Sequence, residues 1–263
     1  MAKKPKLKLI KSEDTAVSKL NLPRIIGVGG QKRAGKDSVC DILVDEFGYE
    51  KLSYAANLRI LCQRITGVTI EEFTNDDLKD APLKKPFKLT REMISALLLC
   101  CYKDYSYMFM GLEFDKFLED AEAKGIYRHV GTEFVTPRHV LQLFGTELIR
   151  TCIKQDFHLA VVFNYIENSI RGNIPHKGVP RFCISDCRFP NERHAVTYYR
   201  GITLLITSPT DSRDCIHPSE TNIGTEKDYF STFHNVKEGL DKLRVDFPKF
   251  IRDLKFNPPT PKM

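Results

Sequence analysis

The stretch GVGGQKRAGKDSVCDIL, residues 27–43, restricts the fold more than any other part of the sequence. It leaves an apolar run, turns through glycines and opens an amphipathic segment. A glycine-rich turn from strand to helix presents backbone N–H groups to an anion, and the helix N-terminus adds favourable dipole charge. The usual phosphate loop reads glycine, four residues, then Gly-Lys-Ser or Gly-Lys-Thr. Here Gly30 is followed by four residues and then by Gly35, Lys36, Asp37 and Ser38. Lys36 would reach the terminal phosphates of a nucleoside triphosphate bound by the loop.

Asp37 is the unusual residue. The residue after the lysine ordinarily supplies a hydroxyl to Mg²⁺. A carboxylate is also a hard oxygen ligand, and beside a dication its charge no longer repels phosphates. Ser38 would keep its place near the α-phosphate and stand with Asp37 on the metal side. Asp37 also suits a helix start simply by complementing the dipole. Arg33 and Lys32 lie inside the loop. Either would fold over the transferred phosphate as a charge clamp, with Arg33 preferred, or face solvent.

The rest of the chain alternates around this loop. RIIGVG (24–29) reads as a buried strand, and residues 36–47 as a helix with Val39, Ile42, Leu43 and Phe47 on one face and Gly48 ending it. YEKLSY (49–54) alternates like a strand, and 57–66 is helical. Residues 67–135 carry helical pieces and charge clusters without a clear strand. RFCISD (181–186) and GITLLITS (201–208) are strands, and 237–254 is a helix bent or stepped at Pro248. Strands alternating with helices imply an α/β protein with a parallel sheet flanked by helices on both faces. The expected organisation is a mobile basic arm (1–23), one domain (24–254) with a helical insertion at about 67–135, and a loose proline-rich tail (255–263).

Composition adds limits. The chain has 263 residues, a formal charge of +6 and eight cysteines. Much of the positive excess sits in MAKKPKLKLIK at the N-terminus, so the balance does not choose between small anions and nucleic acid. The cysteines form no disulfide-like or paired zinc-like pattern, which fits reduced thiols in a cytoplasm. The most apolar stretch, ISALLLCC (94–101), is too short to span a bilayer, and no membrane association is expected.

Three more clusters carry polar chemistry. In TPRHVLQLFGTELIR (136–150), Thr136 is a natural N-cap and Pro137 a natural first helical residue. Arg138, Gln142, Gly145 and Thr146 would share one helix face, opposite Val140, Leu141, Phe144 and Leu148. Arg138 could grip an anion with its planar fork, and Gln142 offers a donor and an acceptor to a base edge; a solvated polar face explains the same stripe. In ISDCRFPNE (184–192), Asp186 ends an apolar strand, where parallel sheets form ligand crevices, and would hold Mg²⁺ or its water; Arg188 and Glu192 follow. The segment SPTDSRDCIHPSE (208–220) reads as a long loop. It is either a lid closing Arg213 on the phosphates or an ordinary surface loop.

Assembled in this order, GQKRAGKDS, LSYAANLR, TPRHVLQLFGTELIR, ISDCRFPNE and HPSE resemble the bacteriophage deoxynucleoside monophosphate kinases, a branch of the P-loop kinases. The TPR…Q..GTE block with D.RFPNE is the more specific part. The resemblance implies a P-loop kinase-like sheet, with the helical insertion forming the monophosphate-binding region and a lid loop. It implies phosphoryl transfer from ATP to a deoxynucleoside monophosphate with Mg²⁺. It gives roles to Lys36, Asp37, Ser38, Arg138, Gln142, Gly145, Thr146, Asp186, Arg188 and Glu192, with Arg150 and Arg59 also on the acceptor side. The implied partners are small nucleotides rather than nucleic acid or membrane, with room for a homodimer. Relatives carry a tryptophan shortly after the GTE block; this chain has none, and Phe157 or His158 would stand in by stacking on a base.

The rival readings are a GTPase-like switch, a kinase of another small phosphorylated metabolite, and a nucleic-acid-binding ATPase. The first should carry an N-K-x-D motif, which is absent, and Asp186 is followed by Cys-Arg-Phe instead of a switch glycine.

Overall fold

The computed structural model describes residues 22–31, 33–176, 178–209 and 222–256. In chain order the elements are β1 (Ile25–Gly30), α1 (Lys36–Phe47), β2 (Glu50–Leu52), α2 (Tyr54–Thr66), α3 (Ile70–Thr74), β3 (Phe87–Lys88), α4 (Arg91–Asp104), α5 (Phe114–Ala123) and β4 (Glu133–Phe134). Then come α6 (Pro137–Gln142), a π-helical stretch (Leu143–Ile153), α7 (Phe157–Ile170), β5 (Phe182–Ile184), α8 (Pro190–Tyr198), β6 (Ile202–Thr207), β7 (Ser231–His234) and α9 (Leu240–Asp253). The chain packs as two compact units, residues 1–51 with 179–263, and residues 52–178.

The first unit is built on a sheet of order β2-β5-β1-β6-β7. β1 pairs in parallel with β5 and with β6, and β6 pairs in parallel with β7. Every residue of β1 is buried, as a central strand covered on both faces requires. Strand order reverses at β1, and in open α/β sheets ligands bind beyond the carboxyl ends of strands at such a point. On one face α1 and α9 supply Val39, Leu43, Phe47, Phe247 and Ile251 to a core with Ile26, Val28, Leu204, Ile206 and Phe233.

Several local signals read from the sequence match the elements. α1 starts at Lys36 and ends at Gly48, whose φ of 68° lies in the left-handed region glycine tolerates best. Other boundaries differ. α2 begins at Tyr54, three residues before the expected start, because Ser53 caps it by accepting a hydrogen bond from Ala55 N–H at 3.2 Å. α9 starts at Leu240 rather than Lys237, since Lys237 (φ 63°) and Gly239 (φ 104°) leave helical space. Pro248 lies inside an uninterrupted helical span. β7 was not legible: STFH is short and half polar, and its parallel register on β6 is the only thing that makes it a strand.

The second unit is mainly helical, with a small antiparallel pair, β3 with β4. Two-residue strands are below what an alternation pattern can reveal. Its core gathers Leu61, Phe73, Leu89, Leu97, Phe134, Phe144, Leu148 and Phe157. After Gln142 the helix changes its hydrogen-bond ladder. Lys154 N–H donates to Ile149 O at 2.8 Å, five residues back, and the Thr151 hydroxyl donates to Thr146 O at 3.0 Å. The expected face was drawn for a regular α-helix, and this ladder turns less per residue. Gly145, expected on the polar face, is buried together with Leu143 and Ile149. π-helical segments are rare and recur at functional sites.

Candidate functional site

The carboxyl ends of the parallel strands in the first unit carry one constellation. Gly30 ends β1 and Gly35 precedes α1. Lys36 is 8 % exposed, and its ammonium donates to Gln31 O at 2.5 Å, folding over the loop's own carbonyl. Arg33 is exposed and adopts a left-handed φ of 65°. Lys32 lies outside the described residues.

Asp37 stands on the first turn of α1 with its side chain 78 % exposed, 3.1 Å from Lys51 Nζ. Lys51 also donates to Asp41 Oδ1 at 2.9 Å. Burial works against the Lys51 charge, but the hydrogen bond to Asp41 and the charge of Asp37 outweigh it, and its pKa ends above the ordinary lysine value. Exposed pairs of this kind contribute about 0–1 kcal/mol, so exchanging Lys51 for a metal ion would cost Asp37 little.

Asp186 follows β5 and is half-buried. The turn after it is fixed to β1 by Cys187 N–H donating to Val28 O at 3.0 Å. Glu192 is 4 % exposed, and its Oε2 accepts from Arg188 N–H at 2.7 Å and Phe189 N–H at 2.8 Å. It closes the turn that carries Arg188. Arg193, which sequence reading passed over, is buried and donates through Nη1 to Arg188 O and Ile223 O, each at 2.8 Å. It ties the Arg188 turn to the residues just after 210–221. Arg213 and the segment from His217 to Glu220 lie outside the described residues.

Two further residues were missed. Asn235, directly after β7, donates through Nδ2 to Ala34 O at 2.9 Å, and Lys237 Nζ donates to Arg33 O. Both partners are loop carbonyls. The only sequence signal was an Asn-x-Lys in a connection between elements.

Among the described residues no three His, Cys, Asp or Glu side chains gather as a metal cluster. Mg²⁺ in kinases travels on substrate phosphates and takes only one or two protein carboxylates. Asp37, Ser38 and Asp186, in the first turn of α1 and just beyond β5, are oxygen donors of that kind, so the residues fit the ion.

The second unit carries the other group. Thr136 caps α6 by accepting from His139 N–H at 3.2 Å, with Pro137 at the first turn. Arg138 N–H donates to Lys79 O at 2.9 Å, and its guanidinium meets Asp80 side-on: Nε with Oδ1, and Nη2 with Oδ2 at 3.2 Å. Gln142, Thr146 and Arg150 are half-buried along the same continuous helix. Gly145 sits where an added Cβ would lie 2.6 Å from Leu58 Cδ2, and its carbonyl is 3.4 Å from His158 Nε2. Arg59, on α2, has its Nε buried with no hydrogen-bond partner among the described residues.

The expectation that Phe157 or His158 stacks on a base is not supported. Phe157 is fully buried and packs edge-on to Tyr105, with ring centroids 4.9 Å apart. His158 is 6 % exposed. Neither ring face is open, because both side chains fill the core of their own unit.

A mostly parallel sheet with helices around it, and a Gly-x₄-Gly-Lys loop running from β1 into α1, define an α/β protein of the P-loop kinase-like class. No family model matches the chain. Its sequence is similar to "Deoxynucleoside-5'-monophosphate kinase" of Escherichia phage T5, 26 % identical over 257 residues, covering 89 % of this chain and 98 % of the relative. It is also similar to "Putative deoxynucleotide monophosphate kinase" of Acanthamoeba polyphaga mimivirus, 25 % identical over 212 residues, covering 78 % of this chain and 84 % of that protein. The resemblance read from the motifs thus extends along most of the chain. Among the described residues no helix is long and apolar enough to cross a membrane.

Proposed function

We propose that this protein transfers the γ-phosphoryl group of ATP to a deoxynucleoside monophosphate, giving the diphosphate and ADP. The observation that carries the reading is similarity to a deoxynucleoside-5'-monophosphate kinase along 89 % of the chain, spanning the phosphate loop and the Arg138 helix alike.

The loop from Gly30 to Gly35 and the first turn of α1 bind the ATP phosphates through backbone N–H groups. Lys36 leaves Gln31 O and moves onto the terminal phosphates. Arg33, Arg188 and Arg213 neutralise charge on the transferring group, and Glu192 holds the Arg188 turn. Asp37, Ser38 and Asp186 would hold Mg²⁺ directly or through water. When bound, the ion offsets the charge of the phosphate oxygens and orients them. Arg59, Arg138 and Arg150 bind the acceptor's phosphate, and Gln142 and Thr146 its nucleoside, with Gly145 keeping their helix close to α2.

An acceptor phosphate oxygen attacks the γ-phosphorus, and the bond from that phosphorus to the oxygen bridging the β-phosphate breaks. ADP leaves with the electron pair. The acceptor is largely ionised at neutral pH, so no strong general base is needed. Catalysis is alignment and charge neutralisation. Closure of the segment at 208–220 would exclude water and limit ATP hydrolysis. The protein acts in the cytoplasm on small nucleotides, with neither nucleic acid nor membrane as partner, and the reading allows a homodimer.

The test is to supply ATP, Mg²⁺ and each common deoxynucleoside monophosphate and to separate the products. At least one diphosphate is expected. No diphosphate from any of the four, with turnover on another phosphorylated metabolite, would transfer the protein to a different kinase activity.

A further inference from the structure

We propose that Asn235, assisted by Lys237, is a positioning residue for nucleotide phosphate: it holds the loop between β1 and α1 so that the Gly35 backbone N–H turns toward the polyanion. The inference rests on reading that loop as the donor-phosphate site.

Asn235 is 7 % exposed and divides its amide between two tasks. Its Nδ2 donates to Ala34 O at 2.9 Å, across 201 residues of sequence. Its Oδ1 accepts from Lys237 N–H at 3.2 Å. That second bond shapes the connection from β7 to α9, where Lys237 takes a left-handed φ of 63°. Lys237 Nζ then donates to Arg33 O. Two consecutive loop carbonyls are therefore held by one short turn.

In a trans peptide unit the C=O and the following N–H point in opposite directions. The Ala34 N–H closes the loop on Gln31 O at 3.2 Å, so fixing the Ala34 carbonyl from one side fixes the Gly35 N–H toward the other. The loop needs such a restraint. Arg33 is a non-glycine residue at φ 65°, a conformation that costs roughly 1–2 kcal/mol. Gly35, at φ 99°, sits so close that an added Cβ would lie 2.5 Å from Asn235 Nδ2. Glycine at 35 thus serves the asparagine as well as the turn. Donors already aimed at an anion require no reorganisation when it binds.

A plain structural role would predict a loss of stability alone, whereas a positioning role predicts a selective loss of nucleotide affinity. Asn235→Asp keeps the shape and the acceptor for Lys237 N–H, but sets a carboxylate oxygen against Ala34 O. Lys237→Met removes the exposed donor and leaves the buried amide intact. ADP affinity by calorimetry, ATP and acceptor KM, and thermal unfolding are measured on the full chain. For Asn235→Asp the ADP Kd and ATP KM should rise roughly tenfold, the scale of one buried hydrogen bond lost. Lys237→Met should raise both by about two- to threefold, and acceptor KM should stay within about twofold in each variant. Unchanged ADP affinity in a folded Asn235→Asp protein overturns the proposal. If that variant does not fold, unchanged ADP affinity in Lys237→Met overturns it. ADP binding is read without turnover, so a wild-type protein that binds ADP but phosphorylates no deoxynucleoside monophosphate would reject the proposed function and leave this inference standing.

Discussion

Asp80 meets Arg138 with both carboxylate oxygens, one on Nε and one on Nη2, while the Arg138 backbone N–H is held by Lys79 O at 2.9 Å. The arginine is oriented twice by one short segment. The side-on pair uses two of the five guanidinium donors, and a planar fork of this kind suits a phosphate. Arg138→Ala should therefore lower kcat/KM for the acceptor by one to two orders of magnitude, since a charge-assisted contact contributes roughly 1.5–3 kcal/mol. The side chains of the pair are 26 % and 36 % exposed, so the fold should survive. Steady-state kinetics with each substrate varied in turn checks this. A rise in ATP KM alone would move the helix to the donor side.

Lys36→Ala should reduce kcat by at least roughly two orders of magnitude, the scale of removing one preorganised donor at a transition state. Lys36 is 8 % exposed and its ammonium rests on Gln31 O. Circular dichroism should be unchanged, and near-normal turnover would remove Lys36 from the reaction.

Asp37 has two competing partners, the Lys51 ammonium seen at 3.1 Å and the metal ion proposed above. If it serves the metal, Asp37→Ala should raise several-fold the Mg²⁺ needed for half-maximal rate, and Asp37→Ser should recover part of the loss. Lys51→Met should not raise it. Magnesium titrations of all three variants separate the roles, because a purely structural pair would make Asp37→Ala and Lys51→Met behave alike.

Gly145→Ala tests packing apart from catalysis. The added methyl would lie 2.6 Å from Leu58 Cδ2, and Leu58 is itself buried. Overpacking of this size costs typically about 1–3 kcal/mol. Urea unfolding should show a lower midpoint with an unchanged slope. A midpoint equal to wild type would mean that Leu58 repacks freely.

What was legible depended on locality. β1 and α1 declared themselves through an apolar run, a glycine turn and a terminal glycine, all within the 24 residues from 25 to 48. Ser53 held a cap signal that was readable but outweighed by the alternation before it. The change of ladder after Gln142 carried no signal, since an i→i+5 segment uses the same residues as an α-helix and differs only in how tertiary packing draws its turns. Asn235 and Arg193 were invisible for a different reason. Their partners, Ala34 O and Ile223 O, are backbone atoms 201 and 30 residues away, which only the fold brings within reach. The base-stacking expectation failed because a buried aromatic and a ligand-facing one look alike in sequence, and Phe157 is the former.

The most direct test of the account follows the fate of the γ-phosphate. Wild-type protein is given ATP radiolabelled at that position, Mg²⁺ and one deoxynucleoside monophosphate at a time, and the label is traced by chromatography. The account predicts label in a deoxynucleoside diphosphate, with little inorganic phosphate when the acceptor is present. Label released only as inorganic phosphate, whichever monophosphate is supplied, would contradict it.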